Sequence, residues 1–449
     1  MSDELLGLLD RVLAGAGAAE GVEAFGVDET ETSVKAYGGQ VEALTSARSR
    51  GIGVRVMAAG RSGYAYTADL SDEGLGDVLV QARANAAAAA PDEANVLPGP
   101  LPTDPLPELA DERFGAVGVD EKVAAALRLE EAAVGRDPRV TRVDAARYGD
   151  AVRDTAIAST TGVRGGYRRT QAHAFVEAIA DGDGGSTSAF GLRTGRMLHD
   201  LDLDAAAAEA SERAARVLGG RKPPSERMPV VLDPFATAAF LGVLAGALTA
   251  EAVQKGRSLF ADRVGDTVAA EHVTLVDDGR LLEGLSAAPW DDEGVPTGRT
   301  VLIDGGVLAG FLHNTYTAAK AGTASTGNAG RAGFASSPGV GPTNLFLTPG
   351  PQPPAELLGR AGDGFYCQSV LGVHSGANPV TGDFSVGATG LMIRDGQLAE
   401  PVREATVAGT IPQMLADLRA VADDLRFLPF GGGSGGATAL VGAMTLAGS

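Results

Sequence analysis

The chain has 449 residues, of which 44% are hydrophobic and 21% charged, the composition of a folded protein with a sizeable core and enough length for two or three domains. A formal net charge of -20 repels phosphate, and no basic run in the sequence offsets it, which argues against direct nucleic-acid binding. The single cysteine, Cys367, excludes intramolecular disulfides and fits a reducing cytoplasm.

In chain order, residues 3–15 have helical periodicity and an acidic start unlike a signal peptide. The alternating runs VEAFGV, TSVKAY, VEALTSA, GIGVRVMA and SGYAYTA predict short strands, with Gly38-Gly39 as a turn. Ser71-Asp72-Glu73 opens a helix to about Ala90, and the Pro-rich stretch 91–111 reads as a connector. A helix near 119–135, strands at 138–147, 151–160 and 164–181, and a helix at 202–218 complete a mixed α/β domain over 1–220. GGRKPPSER, residues 219–227, combines Gly, Pro and charge, so 221–227 is the expected linker and 228–449 the second domain.

That domain begins with MPVVLD, a buried strand. Asp233-Pro234 is a helix start and Gly256 a helix stop, so a single Gly/Ala-rich helix is expected over 234–255. Its apolar part, 234–250, is short for a membrane span and suits a core helix. Beyond it Asp278-Gly279, Asp304-Gly305 and Asp395-Gly396 read as hairpin turns, 410–424 as a helix, and the end as an apolar strand after GGGSGG. The fold class is therefore α+β: a mixed α/β N-terminal domain, then a mainly antiparallel β C-terminal domain with a central Gly/Ala-rich helix.

No two of the five histidines (His173, His199, His272, His313, His374) have helical ligand spacing, and there is no CxxC. Cys367 and His374, with Asp383 as orienter, could form a thiol dyad, whereas a lone cysteine is more often a small core hydrophobe. WDDEGVPT, residues 290–297, reads as a solvated acidic turn. HNTYTAAKAGTASTGNAG and HSGANPVTGDFS are polar, glycine-loosened loops suited to a neutral groove. Together with the KGRS element they supply candidate groove or interface residues: Lys255, Arg257, Ser258, Asn314, Thr315, Asn328, His374, Asn378, Thr381 and Asp383.

KGRSLFADRVGD, PWDDEGVPT, DGGVLAGFLHNTYTAAKAG, ASTGNAGR, NPVTGDFSVGATG and the closing ALVGAMTLAG resemble the TldD/PmbA family, specifically its PmbA (TldE)-like branch. The resemblance implies a non-catalytic subunit of a cytoplasmic heterodimeric metalloprotease that acts on small unfolded or leader peptides. It implies that a TldD-like catalytic partner holds the zinc, on an HExxxH helix and a cysteine near its C-terminus. Aligned from Lys255-Gly256, Leu241 falls at the first histidine, Gly242 at the glutamate and Gly246 at the second histidine. Leucine and glycine can neither ligate zinc nor take a proton from water, so no metal or cofactor is expected in this chain. The rival expectations are an independent hydrolase using Cys367 and His374, and a homodimeric peptide-binding scaffold. Neither nucleic acid nor membrane is an expected partner.

Overall fold

The alternating runs of the first half fuse into strands far longer than their separate patterns suggest. In the computed structural model, which describes residues 2–106, 109–183, 185–429 and 433–448, VEAFGV and TSVKAY lie on one strand, β1 (Gly21–Tyr37). The next two runs form β2 (Gln40–Ala58), and SGYAYTA forms β3 (Arg61–Thr67). The strands expected at 138–147 and 151–160 are likewise one, β4 (Val140–Ser159), followed by β5 (Arg164–Gly182) and β6 (Gly185–Gly195). The last of these was not expected: its Gly and Ser content carries little strand signal.

Helices α1 (Ser2–Ala14), α2 (Asp72–Ala88), α3 (Val119–Val134) and α4 (Leu203–Arg216) flank these strands. The order α-β-β-β-α therefore occurs twice in the chain. Its two copies join edge to edge into one antiparallel sheet, β3-β2-β1-β4-β5-β6, with β1 and β4 at the seam. Even-numbered residues of β1, such as Val22, Ala24, Val34 and Ala36, pack beneath the helices. Odd-numbered ones, Glu23, Phe25 and Val27, point to the opposite face.

After Gly220 the chain enters other sheets. Strand β7 (Glu226–Leu232) pairs in parallel with β8 (Gly364–Leu371), which is followed by β9 (Asp383–Arg394), β10 (Gln397–Thr410), β11 (Leu418–Val421) and β12 (Ala439–Ala447). The order is β10-β9-β8-β7-β12-β11, and β10 also pairs with β12, so five strands curl back on themselves. All pairings but β7–β8 are antiparallel. A second, smaller sheet includes Leu275–Asp278, Arg299–Asp304 and Leu345–Leu347. Helices and sheets are both extensive, as the α+β class requires.

Four expectations need correction. The helix over 234–255 is two helices, α5 (Pro234–Ala247) and α6 (Ala250–Gln254). Thr249 starts α6 by accepting from Ala252 N at 3.2 Å, while Leu248 O and Ala250 N hydrogen-bond to the backbone of Leu312. Asp278-Gly279 is no hairpin turn, because Asp278 pairs with Arg299 and the residues between them make a long excursion. The helix expected over 410–424 stops at Ala416, since Leu418–Val421 is drawn into the sheet beside β12. The residues of WDDEGVPT are not solvated: Asp291 is 5% exposed and Glu293 1%. The first two residues of GGGSGG lie outside the described residues. No helix among the described residues is long and apolar enough to cross a membrane.

That buried acidic loop clamps the open face of the first sheet. Glu23 on β1 and Arg55 on β2 are cross-strand partners, 2.6 Å apart at their charged tips. Arg55 reaches on to Glu293 at 2.7 Å, and the other oxygen of Glu23 meets Arg331. Arg331 N donates to Asp292 at 2.7 Å, and its guanidinium lies 4.7 Å over the Phe25 ring. Gly51 and Gly53 on β2 leave room for Phe334: a Cβ at Gly51 would stand 2.3 Å from its ring. Trp290 packs edge-on to Tyr167 of β5 at 5.4 Å.

Removing one member of a buried alternating ion array strands its neighbours as uncompensated charges. Glu293→Ala should cost about 3–5 kcal/mol in chemical denaturation, far more than an exposed pair such as Lys222–Glu404. Burial pushes Glu293 up, but Arg55 and Thr315 outweigh it and hold the carboxyl below its ordinary 4.5. The stability Glu293 contributes is then complete above pH 4.5 and falls as acid titrates through the lowered value, so wild type and Glu293→Ala should converge in acid melts.

Candidate functional site

Helix α5 has two unlike sides. Ala236, Phe240, Leu241, Leu244 and Ala245 face the core, while Ala239, Gly242, Val243 and Gly246, spaced three and four apart, line a groove of about 780 Å³. Asp233 caps the helix: Oδ1 accepts from Phe235 N at 3.0 Å. Its other oxygen accepts from Arg213 at 2.6 Å and from the Tyr366 hydroxyl at 2.6 Å, which anchors the start of α5 to α4 and β8.

The opposite wall comes from the end of β8. Strand β7 stops at Leu232, opposite Cys367, and β8 continues without it through Ser369, Val370 and Leu371 into Val373 and His374. At one end Phe175 of β5 and Phe190 of β6 close the groove. Phe175 stacks on Phe190 at 5.6 Å, and Phe190 meets Phe235 edge-on at 4.7 Å. The groove thus lies between the open face of the first sheet and the second half of the chain, with a mostly hydrocarbon lining.

The expected site residues scatter. Only His374 lines this groove, on its exposed rim. Asn314, Thr315 and Asn328 are buried, and the two asparagine side chains are already bonded. Asn314 caps a short helix through Thr317 N at 2.9 Å, Thr315 N donates to Glu293 at 2.8 Å, and Asn328 donates to Asp277 at 2.6 Å. Their polarity serves the interior rather than a ligand. Ser258 donates to Ala247 O at 2.6 Å and holds the chain after α6. Asn378 accepts from Val380 N and organises a loop that exposes Thr381 and Asp383. Lys255, ion-paired to Glu251, and Arg257 are exposed.

The thiol dyad lacks its geometry. Cys367 is fully buried in the core, with its sulfur 3.6 Å from Ser369 O, while His374 stands at the surface. Burial and the nearby Asp233 charge push the thiol well above its ordinary range, against forming a nucleophilic thiolate.

The zinc expected of the family's catalytic branch does not fit here either. Of the positions aligned with HExxxH, Leu241 points into the core, and Gly242 and Gly246 bring no donor to the groove. His374 is the one imidazole in the lining, and among the described residues no three His, Cys, Asp or Glu side chains converge as a metal site needs. The residues that sequence reasoning missed are Phe175, Phe190 and Phe235. A signal existed: in RRTQAHAF the alternation puts Arg169, Gln171, His173 and Phe175 on one face, with no apolar reason for the first three.

Profiles of the first, central and C-terminal domains of PmbA/TldA metallopeptidases match residues 22–86, 112–218 and 225–448. Metalloprotease PmbA of Escherichia coli O157:H7 is 27% identical over 411 residues, covering 91% of this chain and 89% of that protein. A Thermotoga maritima crystal structure, named as a candidate modulator of a DNA gyrase, superposes with a TM-score of 0.91 at 28% identity, over 98% of this chain and 99% of the other. The TldE crystal structure from Thermococcus kodakarensis shares the fold, with a TM-score of 0.88 at 21% identity and 99% coverage of both chains.

Two measurements check this geometry. Cys367 should resist thiol reagents in the native protein and react only on unfolding. A Cβ at Gly246 meets nothing within 4 Å, so Gly246→Ala should raise helix stability by up to about 1 kcal/mol in urea melts.

Proposed function

This chain belongs to the PmbA/TldD metallopeptidase family, and from that premise we propose that it is a TldE-like subunit that holds peptide without hydrolysing it. The observation that carries the reading is the groove face of α5: Ala239, Gly242, Val243 and Gly246 bring to the groove neither the imidazole nor the carboxylate that zinc hydrolysis needs. A TldD-like partner in the same cytoplasm supplies the zinc and the water-activating carboxylate.

The groove suits an extended, unfolded peptide. Past Leu232 the β8 edge has lost its β7 neighbour, and alternate backbone N–H and C=O groups of Ser369–Leu371 point towards that side. Main-chain pairing there gives affinity with little sequence selectivity, and the Phe175–Phe190–Phe235 cluster takes an apolar side chain. Small residues on α5 let a backbone approach closely. The exposed Lys255, Arg257, Asn378, Thr381 and Asp383 are left for contact with the partner.

The test is co-purification with a TldD-like protein bearing HExxxH, followed by cleavage of an unfolded peptide. The isolated chain should give no chelator-sensitive hydrolysis above buffer, and the pair should cleave. Gly246→Phe in this chain should impair cleavage by the pair without lowering the melting temperature. Full chelator-sensitive activity from the isolated chain would sink the proposal.

A further inference from the structure

The face of the first sheet that carries Phe175 continues away from the groove, and its next residues are cationic. On β5 the alternation runs Phe175, His173, Gln171, Arg169, all on the side that meets the second half of the chain. Arg169 is the direct cross-strand partner of Arg153 on β4. Arg196, just past the end of β6, lies beside them: burial and the Arg169 charge together push it below its ordinary value.

Like charges directly opposed on neighbouring strands destabilise a sheet. The pair is only partly offset: the Asp292 charge acts on Arg153 and Arg169 through space, and that of Asp200 on Arg196. Among the described residues the only carboxylate within ion-pair reach of the three guanidiniums is Glu29, 4.0 Å from Arg153. Two nearby carboxylates form no ion pair with them and bond backbone N–H groups instead: Asp292 accepts from Arg331 N at 2.7 Å, and Asp200 from the N–H groups of Arg196 and Met197. Among the described residues the Arg169 side chain donates to the carbonyl of Leu285, at 3.5 Å, and the Arg196 side chain to that of Leu282, at 2.9 Å. All three are half-buried, so each is partly stripped of water. In a protein of net charge -20, this local group of guanidiniums, with a single long ion pair among the described residues, runs against the overall field.

We infer that Arg153, Arg169 and Arg196 form a carboxylate-binding subsite that selects acidic peptides, continuous with the apolar groove. The inference rests on the peptide-holding reading above. From Phe175 to Arg169 is six residues of strand, about 20 Å, so an extended peptide with an apolar side chain at the phenylalanines presents its carboxylate about six residues further on. Guanidinium forks match carboxylates with paired N–H donors, and the anion relieves the Arg153–Arg169 repulsion. The carboxylate comes either from Asp or Glu side chains or from the peptide's C-terminus.

Fluorescence anisotropy with the full chain tests this. The probes are a labelled peptide with one phenylalanine and a Glu-Glu pair about six residues away, its Gln-Gln twin, both with free and amidated C-termini, and pentaglutamate without an anchor. The Glu-Glu peptide should bind about tenfold tighter than its twin at low salt, and the preference should shrink as salt is added. Preference that survives amidation assigns side-chain carboxylates; preference that follows the free terminus assigns the C-terminus, and either supports the subsite. Arg169→Gln and Arg196→Gln should abolish the preference, and Arg169→Gln should leave the melting temperature equal or higher, which a merely structural arginine would not do. Equal affinities for all four anchored peptides, unchanged by Arg169→Gln, overturn the subsite while leaving the groove reading intact. Conversely, pentaglutamate lost on Arg169→Gln supports the subsite even where Gly246→Phe leaves anchored peptides bound and so defeats the groove. Tighter capture of a single-stranded oligonucleotide than of pentaglutamate overturns it.

Discussion

The arrangement of this protein depends on a buried alternation of charge, Glu293, Arg55, Glu23 and Arg331, which ties the first sheet to the loops of the second half. Each group alone would be costly to dehydrate, and each is tolerable because the next one compensates it. The array is directional where hydrophobic contact is not. It fixes how the open sheet face meets the second half, and that meeting creates the groove between Phe175 and α5. Phe25, Trp290 and Phe334 fill the space around the charges and keep water out.

The groove shows what a family scaffold keeps when it carries no ligands. Asp233 still caps α5, Arg213 and Tyr366 still anchor that cap, and the strand beside the helix still projects past its neighbour. Side-chain chemistry is missing from the helix face itself. A wall of Ala and Gly gives access to main chain and to hydrocarbon. The doubled α-β-β-β-α unit contributes the other wall: one continuous face whose residues change from aromatic to cationic along β5.

Much of this was legible in the sequence. Period-two alternation located most of the long strands, and caps such as Ser71 and Asp233 located helix starts, because both are local consequences of backbone geometry. The absence of ligand spacing among the histidines was equally plain. What failed depended on partners distant in the chain. Leu418–Val421 reads as helix until β12 offers hydrogen bonds, and α5 would run on into α6 but for Leu312.

Residue type was a poor guide to exposure at the polar loops. WDDEGVPT looks solvated because three carboxylates in a row belong in water, and their burial depends on distant partners: Arg55 of β2 for Glu293, Arg331 for Asp292, and backbone N–H groups for Asp291. Asn314 and Asn328 look like ligand groups because a sequence does not show which side-chain groups are already spent. The sequence by itself determined the family and the main elements, both properties of residue identity and near-neighbour spacing. The tertiary structure alone decided which polar groups face inward, where the groove lies and which arginines gather, because those follow from contacts between residues far apart in the chain.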